Sequence, residues 1–453
     1  MRDGEKKIKS NIYLYPTNDL YTKLNMSSPG LPESWISQGE KWTENLPSLV
    51  KETARNEFKL PTTIHNVLLP SPDISLKALA EFTLPPMVEK PTMRKYMELY
   101  FTINLSTTMT PAVLMRMRHL PMPERSTIRE LVGLGHQAWL NGARSVRYRH
   151  LSEDSTATTN FPLWTITFWN RVLDMKEVSS KWVKCVDWVM VQLHQKKSEE
   201  RQLLAEQAMI YISALPWDVK KPRGLSDDEP IHTLWRYLGP NWLSDSSQND
   251  LLVLLRHQIA GRSDLAKTYR VEGTRITEKL LEVYRNQDNI KYTEDQSLGW
   301  LRTLANDLIK NQAILVTVQN LTNVTGSPHW VPLALATDEY TLLFGDSLGD
   351  ELPEELRKAY TWWMAQHNVF KSTKSENHTL TKIETNNLIL VNPLPVASQV
   401  DGHACGILAN NALQHLIDPH RSALNSGSKG DVIRERLQLF NLLSSNIIRR
   451  VSN

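Results

Sequence analysis

Cysteine, long apolar runs and net charge are all scarce in this sequence of 453 residues. The two cysteines, Cys185 and Cys405, are too few for a disulfide framework or a cysteine-rich zinc site, so we expect a reducing compartment. No apolar run approaches the roughly 20 residues of a membrane span. The first residues, MRDGEKKIKSNIY, lack the apolar segment of a secretory signal. These absences predict an intracellular protein, nuclear or cytoplasmic, without a membrane partner.

The charge balance gives little support for nucleic acid as a partner. The formal net charge is +3, and the small basic clusters at residues 144–149 and 220–223 are expected to be solvated surface. Nucleic-acid binding through the N-terminal half stays open as an alternative.

The chain is too long for one ordinary core, and its texture changes along its length. Residues 1–125 are interrupted repeatedly by proline, which predicts loops and short elements, or partial disorder. Residues 126–215 carry apolar side chains at helical spacing, with several tryptophans and Cys185 in the predicted buried stripes. A polar, proline-containing stretch, residues 216–230, predicts a linker to a further domain over residues 231–453.

Residues 231–453 predict an α+β domain with a mixed sheet flanked by helices. Short β-branched and apolar runs predict strands, of which the second and third form a hairpin, at about 312–320, 330–336 and 340–346. Pro332 within the second strand predicts an edge position or an irregularity.

Cys405 occupies a turn-to-helix junction in the stretch VDGHACGILANNALQHL. Asp401 and Gly402 form a turn signal, and the apolar residues that follow fit one helical face. Free backbone N–H groups and the helix dipole at such a position favour a thiolate over a thiol. Gly406 leaves room beside the sulfur for another backbone. The pattern predicts a nucleophile, and a small residue that fills a tight helix start is the alternative.

Three residues elsewhere in the domain could assist that thiol. His329 begins one hairpin strand and Asp346 ends its partner, so strand pairing would bring the imidazole and the carboxylate together. Gln399, in the turn region before Cys405, could donate an amide hydrogen bond to an oxyanion. Each has an ordinary explanation by itself, as a satisfied histidine, a turn aspartate and an exposed glutamine.

The ordered motifs H-W, D-S-L-G and Q-x-D-G-x-x-C-G resemble the catalytic core of the Ulp1-like SUMO/ubiquitin-like-protein cysteine peptidase family. Upstream, the W-L-S-D of residues 242–245 resembles the family's opening motif. The resemblance covers roughly residues 231–450 and implies a domain related to the papain-like fold, with no cofactor. It also implies cleavage after the C-terminal diglycine of SUMO or another ubiquitin-like modifier.

The resemblance assigns catalytic roles to four positions. It implies that Cys405 is the nucleophile, that His329 is the general base and then acid, and that Asp346 orients His329. Gln399 and the backbone N–H of Cys405 would form the oxyanion hole.

The resemblance also implies three substrate-binding residues. Trp242 and Trp330 match the aromatic residues that clamp the diglycine tail of the modifier in the family. Asp245 matches an acidic residue that contacts basic groups on the modifier. Asp245 could equally be the N-cap of the helix that follows, as could Ser244.

The sequence departs from the family pattern at Gly345, Pro332 and Ala404, which leaves substrate choice and turnover open. His403 lies close to Cys405 but is expected to be an exposed turn residue. Alternative functions are a catalytically weak modifier-binding protein and a mobile-element or chromatin-associated protein with an accessory protease domain. An acetyltransferase on a similar catalytic framework is a further alternative.

Overall fold

The structure is a computed structural model that describes the following residues: 47–88, 100–149, 158–195, 198–226, 228–322, 326–367 and 389–451. Parts of the proline-interrupted region, residues 1–46 and 89–99, therefore lie outside the described residues.

Runs of helices and runs of mainly antiparallel strands follow one another along the described chain, which makes the fold α+β, as the sequence predicts. The α-helices are α1 (Ser48–Phe58), α2 (Thr62–Leu68), α3 (Leu76–Glu81), α4 (Pro111–Met117), α5 (Arg125–Leu140), α6 (Trp164–His194), α7 (Glu199–Ala214), α8 (Asp245–Ala260), α9 (Ser263–Thr268), α10 (Arg275–Arg285), α11 (Gly299–Asn311), α12 (Glu354–Gln366), α13 (Cys405–Ile417) and α14 (Lys429–Val451). The strands are β1 (Phe101–Thr102), β2 (Ser145–Arg149), β3 (Thr158–Phe161), β4 (Tyr269–Val271), β5 (Ile314–Thr322), β6 (Pro328–Ala336), β7 (Thr341–Phe344) and β8 (Leu390–Pro393).

Several prolines of the first region mark the starts of short helices. Helices α1 and α2 begin directly after Pro47 and Pro61, and Pro111 is the first residue of α4. Proline is tolerated at these positions because the first-turn N–H groups have no intrahelical acceptor and its φ angle suits a helix. In the described part of this region, proline punctuation therefore reflects short helical elements.

The described residues fall into two compact units. One lies within Met1–Leu69 and Thr83–Lys176, and the other within Pro70–Phe82 and Glu177–Asn453. The first unit contains the antiparallel sheet β1-β2-β3, so the region predicted to be helical also contributes strands. The second unit contains the candidate site.

The segment predicted as a linker, residues 216–230, is packed inside the second unit. Lys221 is buried and donates hydrogen bonds to Asp250 at 2.7 Å and to Glu229 at 3.0 Å. The ion pairs of Lys221 account for one buried charge of this segment, whereas its other lysine and its arginine are exposed. The expectation of a solvated basic cluster at residues 220–223 is therefore wrong for Lys221.

The second unit is built around a five-stranded mixed sheet with the order β4-β5-β6-β7-β8. The outer pairs β4–β5 and β7–β8 are parallel, whereas β5–β6 and β6–β7 are antiparallel. One apolar cluster of the sheet is packed with α10, α11 and α12, and another with α8 and α13. Strand β6 is central and buried after its first residue, which explains its nearly continuous apolar run.

Pro332 lies in this central strand, so the prediction of an edge position is wrong. Its carbonyl accepts a hydrogen bond from the Gly345 amide at 3.4 Å. Because the amide and carbonyl of one strand residue face the same neighbour, the missing N–H of Pro332 also faces Gly345. Strand β7 ends at Phe344, one residue before Gly345. The missing N–H of Pro332 therefore faces a residue outside β7, and the hydrogen bonds between β6 and β7 lose no donor.

Helix α6 confirms the predicted buried stripes. Trp164, Phe168, Trp169 and Trp182 are buried, and Cys185 is 3% exposed, whereas Trp188, also expected in the stripe, is half-buried. The helix is 31 residues long. Nevertheless, among the described residues no helix is both long and apolar enough to cross a membrane.

Candidate active site

Cys405 is the first residue of α13, at the position that the turn signal predicts. The Asp401 carboxylate fixes the turn, since its Oδ1 accepts hydrogen bonds from the amides of His403 at 2.9 Å and Ala404 at 2.8 Å. Helix α13 follows because an apolar stripe that includes Ala409 and Leu413 packs into the same cluster as the cysteine. Cys405 itself is 1% exposed and forms no disulfide.

The hairpin of β6 and β7 brings His329 and Asp346 together. His329 is the second residue of β6, and Asp346 lies two residues past the end of β7. The Nε2 atom of His329 and the Oδ1 atom of Asp346 are 2.9 Å apart, with both side chains at least 95% buried. The same Oδ1 accepts a bond from the Leu348 amide at 2.6 Å, which holds the carboxylate in place. The predicted juxtaposition therefore arises from strand pairing.

The side chains of His329 and Cys405 also interact, and this interaction alters the protonation of His329. Burial alone lowers the pKa of His329, but hydrogen bonds with Asp346 and Cys405 and the charges of both partners outweigh it and raise the pKa to about 9. Because Nε2 is bonded to Asp346, Nδ1 is the ring nitrogen left for the thiol. The thiol, the imidazole and the carboxylate thus form a continuous relay.

Gln399 lies in the turn before α13 but bonds within its surroundings. Its backbone amide donates to the Ser347 carbonyl at 2.7 Å, and its Oε1 accepts from the Ser347 hydroxyl at 3.1 Å. Its Nε2 donates to the Asp401 carbonyl. The amide is therefore close to the segment that follows Asp346, with its donor already engaged.

The aromatic residues of the motifs differ in burial. Trp330 is 3% exposed and its Nε1 donates to the Leu243 carbonyl at 2.8 Å, which ties β6 to the W-L-S-D segment. Trp242 is 38% exposed. Ser244 is the N-cap of α8 and accepts from the Ser247 amide at 3.3 Å, while Asp245 is exposed in the first turn. Of the two predicted N-caps, the structure selects Ser244.

Gly406 is required by close packing, although its neighbours differ from the expected backbone. A Cβ atom at this position would lie 2.2 Å from the Gln248 amide nitrogen, 3.2 Å from the Trp330 ring and 3.3 Å from the Leu243 Cβ. Side chains from α8 and β6 therefore close over the start of α13. Gln248 was not singled out by its sequence, because a glutamine inside an amphipathic helix carries no local signal.

Close packing explains why a glycine, Gly345, precedes Asp346. A Cβ atom there would lie 2.5 Å from the Leu394 carbonyl oxygen, because the chain after β8 passes directly against it. A larger residue before Asp346 would need the backbone to move.

His403 is half-buried, so the expectation of an exposed turn residue is wrong. Its Nε2 lies 3.3 Å from an oxygen of Asp401, and burial lowers its pKa, while Asp401 opposes and Arg436 adds to that shift. Arg436 itself escaped notice in the sequence because nothing near it in the chain resembles a motif. In the part of the chain that the structure describes, no cluster of three or more His, Cys, Asp or Glu could hold a metal ion.

Comparisons with known proteins return structural neighbours. No protein-family model matches the chain, and no curated protein matches it. The SUMO protease Ulp1 with its catalytic cysteine oxidised to a sulfenic acid is similar at 13% identity and a TM-score of 0.35, over 56% of this chain and 98% of that one. The C-terminal Ulp1 protease domain in complex with Smt3, the yeast ortholog of SUMO, matches at 15% identity and a TM-score of 0.32, over 58% and 95% of the two chains.

Proposed function

We propose that the second unit is a cysteine peptidase that cleaves after the C-terminal diglycine of SUMO or a related ubiquitin-like modifier. The observation that carries the peptidase chemistry is the relay of Cys405, His329 and Asp346, contributed by a helix start, a strand and the end of a hairpin. A nucleophile, a base and a group that orients the base are what acyl transfer through a thioester needs.

The relay supports a two-step reaction. The Cys405 thiol passes its proton to Nδ1 of His329, and the sulfur attacks the carbonyl carbon of the terminal glycine. The imidazolium then gives its proton to the leaving amine, and a thioester remains on Cys405. The imidazole then takes a proton from a water molecule, whose oxygen attacks the thioester. The carboxylate product leaves, and the imidazolium returns the proton to the sulfur of Cys405. Asp346 keeps the imidazole oriented and favours its protonated form throughout.

The developing oxyanion would lie beside the backbone N–H of Cys405 at the start of α13. Gln399 would be the second donor, and its Nε2 would exchange the Asp401 carbonyl for the substrate oxygen.

The substrate class rests on the sequence motifs and on the packing near Cys405. Trp330 is fixed by the Leu243 carbonyl, and the neighbouring Trp242 is exposed to an incoming chain. In this proposal the two indole rings would clamp the modifier tail, and a diglycine would fit best because glycine has no side chain. Asp245, exposed one helical turn away, would meet a basic group on the modifier surface.

Modifier probes with a C-terminal electrophile test this proposal. Probes built on SUMO, ubiquitin and other modifiers are incubated with wild type, Cys405→Ala and Cys185→Ala, and adducts are read by intact mass. We expect one modifier class to label wild type and Cys185→Ala, with no adduct on Cys405→Ala. A folded wild-type protein that reacts with no probe would contradict the proposed function.

A catalytically weak modifier-binding protein is a second candidate, favoured by the engaged amide of Gln399. For this candidate we expect calorimetry to detect binding of the modifier, while the wild-type protein cleaves it no faster than the Gln399→Ala variant does. Wild-type cleavage about 100-fold or more above that variant would exclude it.

A further inference from the structure

Arg436 is a buried guanidinium that donates hydrogen bonds to three backbone carbonyls from two regions of the chain. It lies in α14 and is 1% exposed. Its Nη1 donates to the Arg236 carbonyl at 3.3 Å, and its Nη2 donates to the carbonyls of Asn241 at 2.8 Å and His403 at 3.0 Å. A planar fork with several donors can hold several acceptors at fixed angles, which an ammonium group cannot do.

Two of these acceptors belong to segments that form the candidate site. His403 is two residues before Cys405, in the turn that starts α13, and Asn241 immediately precedes Trp242. One side chain from a distant helix therefore sets the position of the nucleophile's turn relative to the aromatic segment. Hydrogen bonds to a charged donor are stronger than neutral ones, so these contacts hold both segments firmly.

The charge of Arg436 is not neutralised by a bonded carboxylate. Among the described residues, no acidic side chain forms an ion pair with it, and its Nε has no hydrogen-bond partner. Burial lowers the pKa of Arg436 to about 10, against the attraction of Asp401 and Cys405. The group therefore stays positively charged at neutral pH, in an interior that screens it little.

We propose that Arg436 is a positioning residue for Cys405: it holds the turn before the cysteine and places a buried positive charge near the sulfur. The charge effect needs no particular substrate, whereas the consequence for turnover rests on the proposed peptidase function. Reaction rates of thiols depend on the thiolate, so this arrangement raises the reactivity of the nucleophile at neutral pH.

Other charged groups around the sulfur define what the experiment must separate. His329 approaches from β6, and Asp401 and His403 belong to the turn. Helix α8 packs against α13 and contributes Asp250, whose charge is already paired with Lys221. Arg436 is therefore the cation whose removal leaves the His329 relay intact.

The test is the pH dependence of iodoacetamide labelling in a Cys185→Ala background, where Cys405 is the remaining thiol. Labelling rates are measured by intact mass from about pH 5 to about pH 9. We expect Arg436→Met to move the half-maximal labelling pH upward and to slow labelling at neutral pH roughly threefold to tenfold. Arg434→Met, a matched change on the same helix that faces Asp431 and Glu200, should leave the profile unchanged.

Arg436→Lys separates the charge from the three hydrogen bonds. The ammonium keeps the charge but cannot reach three carbonyls, so the labelling midpoint should stay near that of wild type while the plateau rate at high pH changes. Circular dichroism and a cooperative melt establish that each variant folds. If Arg436→Met does not fold, the lysine variant decides, and a wild-type midpoint and plateau would overturn the proposal.

A folded Arg436→Met protein with the wild-type profile would overturn it as well. Labelling uses no modifier, so its result is independent of the modifier probes. A shifted profile without any probe adduct would remove the proposed peptidase function and leave the role of Arg436 in place.

Discussion

The two cysteines of this chain are both buried, yet their surroundings differ in the charged groups that they contain. Cys185 lies in the middle of α6, where its sulfur faces the Trp235 carbonyl at 3.6 Å. Burial raises the pKa of its thiol to about 12. Cys405 is equally buried but stands at a helix start, with His329 bonded to it and Arg436 nearby.

Exposure therefore does not distinguish a structural cysteine from a candidate nucleophile. A buried thiol without a charged neighbour keeps its proton, because a thiolate in an apolar environment is costly. An imidazolium or a guanidinium beside a thiol changes that balance in general, since a positive charge stabilises a thiolate. What decides the chemistry of a cysteine here is the set of groups that tertiary packing brings to it.

Replacing the nucleophile should produce the largest difference between the two sites. We expect Cys405→Ser to reduce modifier cleavage by about 10⁴-fold or more. A serine hydroxyl is far less acidic than a thiol, so it does not give up its proton to His329 to become a strong nucleophile. Cys185→Ser serves as the control and should cleave at nearly the wild-type rate. Cleavage is followed by gel or by release of a fluorophore from the modifier C-terminus. Activity that survives in Cys405→Ser would end the comparison.

Removing the charge that orients His329 should have the next largest effect. We expect Asp346→Asn to lower kcat roughly 10²-fold to 10⁴-fold with a small change in KM, because the imidazolium loses its carboxylate partner. Asp338→Asn is the matched control, since Asp338 is exposed in the turn between β6 and β7. Equal rates in the two variants would show that the His329–Asp346 contact is structural only.

The pKa of His329 should report its partnership with Cys405. Cys405→Ala removes two causes of the raised value, so the pKa should fall below about 9, whereas Cys185→Ala should leave it there. Histidine NMR titration measures this, with the signal assigned by its absence in His329→Gln. A value that does not move in Cys405→Ala would mean that thiol and imidazole are not coupled.

The same shift fixes the sign of a pH effect on stability. The folded-state pKa of about 9 is above the ordinary value of 6.5, so His329 binds its proton more tightly in the folded chain. Its contribution to the free energy of unfolding is complete below the unfolded value and is lost as pH rises through about 9. Denaturant unfolding across this range, compared with His329→Gln, would detect the loss.

The structural cysteine should give the smallest effect. We expect Cys185→Ala to lower the free energy of unfolding by about 1–2 kcal/mol, because loss of the sulfur leaves a small cavity where α6 packs against its neighbours. The cleavage rate should not change. Denaturant unfolding measures the stability, and a rate loss larger than the stability loss would show that Cys185 contributes to function.

Local patterns predicted much of the second unit. The helix start at Cys405 follows from a turn signal and an apolar stripe, and the β6–β7 hairpin follows from two apolar runs around a turn. The nearness of His329 and Asp346 was then a consequence of strand pairing. These features are predictable because each depends on residues close in the chain, whose spacing repeats with the period of a helix or strand.

The sequence failed where partners are distant in the chain. Pro332 could be placed in a central strand only once the end of β7 was known, and Lys221 looked like solvated surface until Asp250 was seen beside it. Composition cannot reveal such pairs, because the same polar residues occur in exposed linkers and in buried ion pairs.

The sequence by itself determined which residues could react: one cysteine at a helix start, a histidine and an aspartate on one hairpin, and a glutamine before the turn. Tertiary structure alone decided their environment. It placed Gln248 over Gly406, turned the amide of Gln399 toward Asp401, and inserted Arg436 between the two segments that flank the sulfur. The physical reason is that charge and packing act through space, over a few ångströms, between residues that the chain keeps far apart.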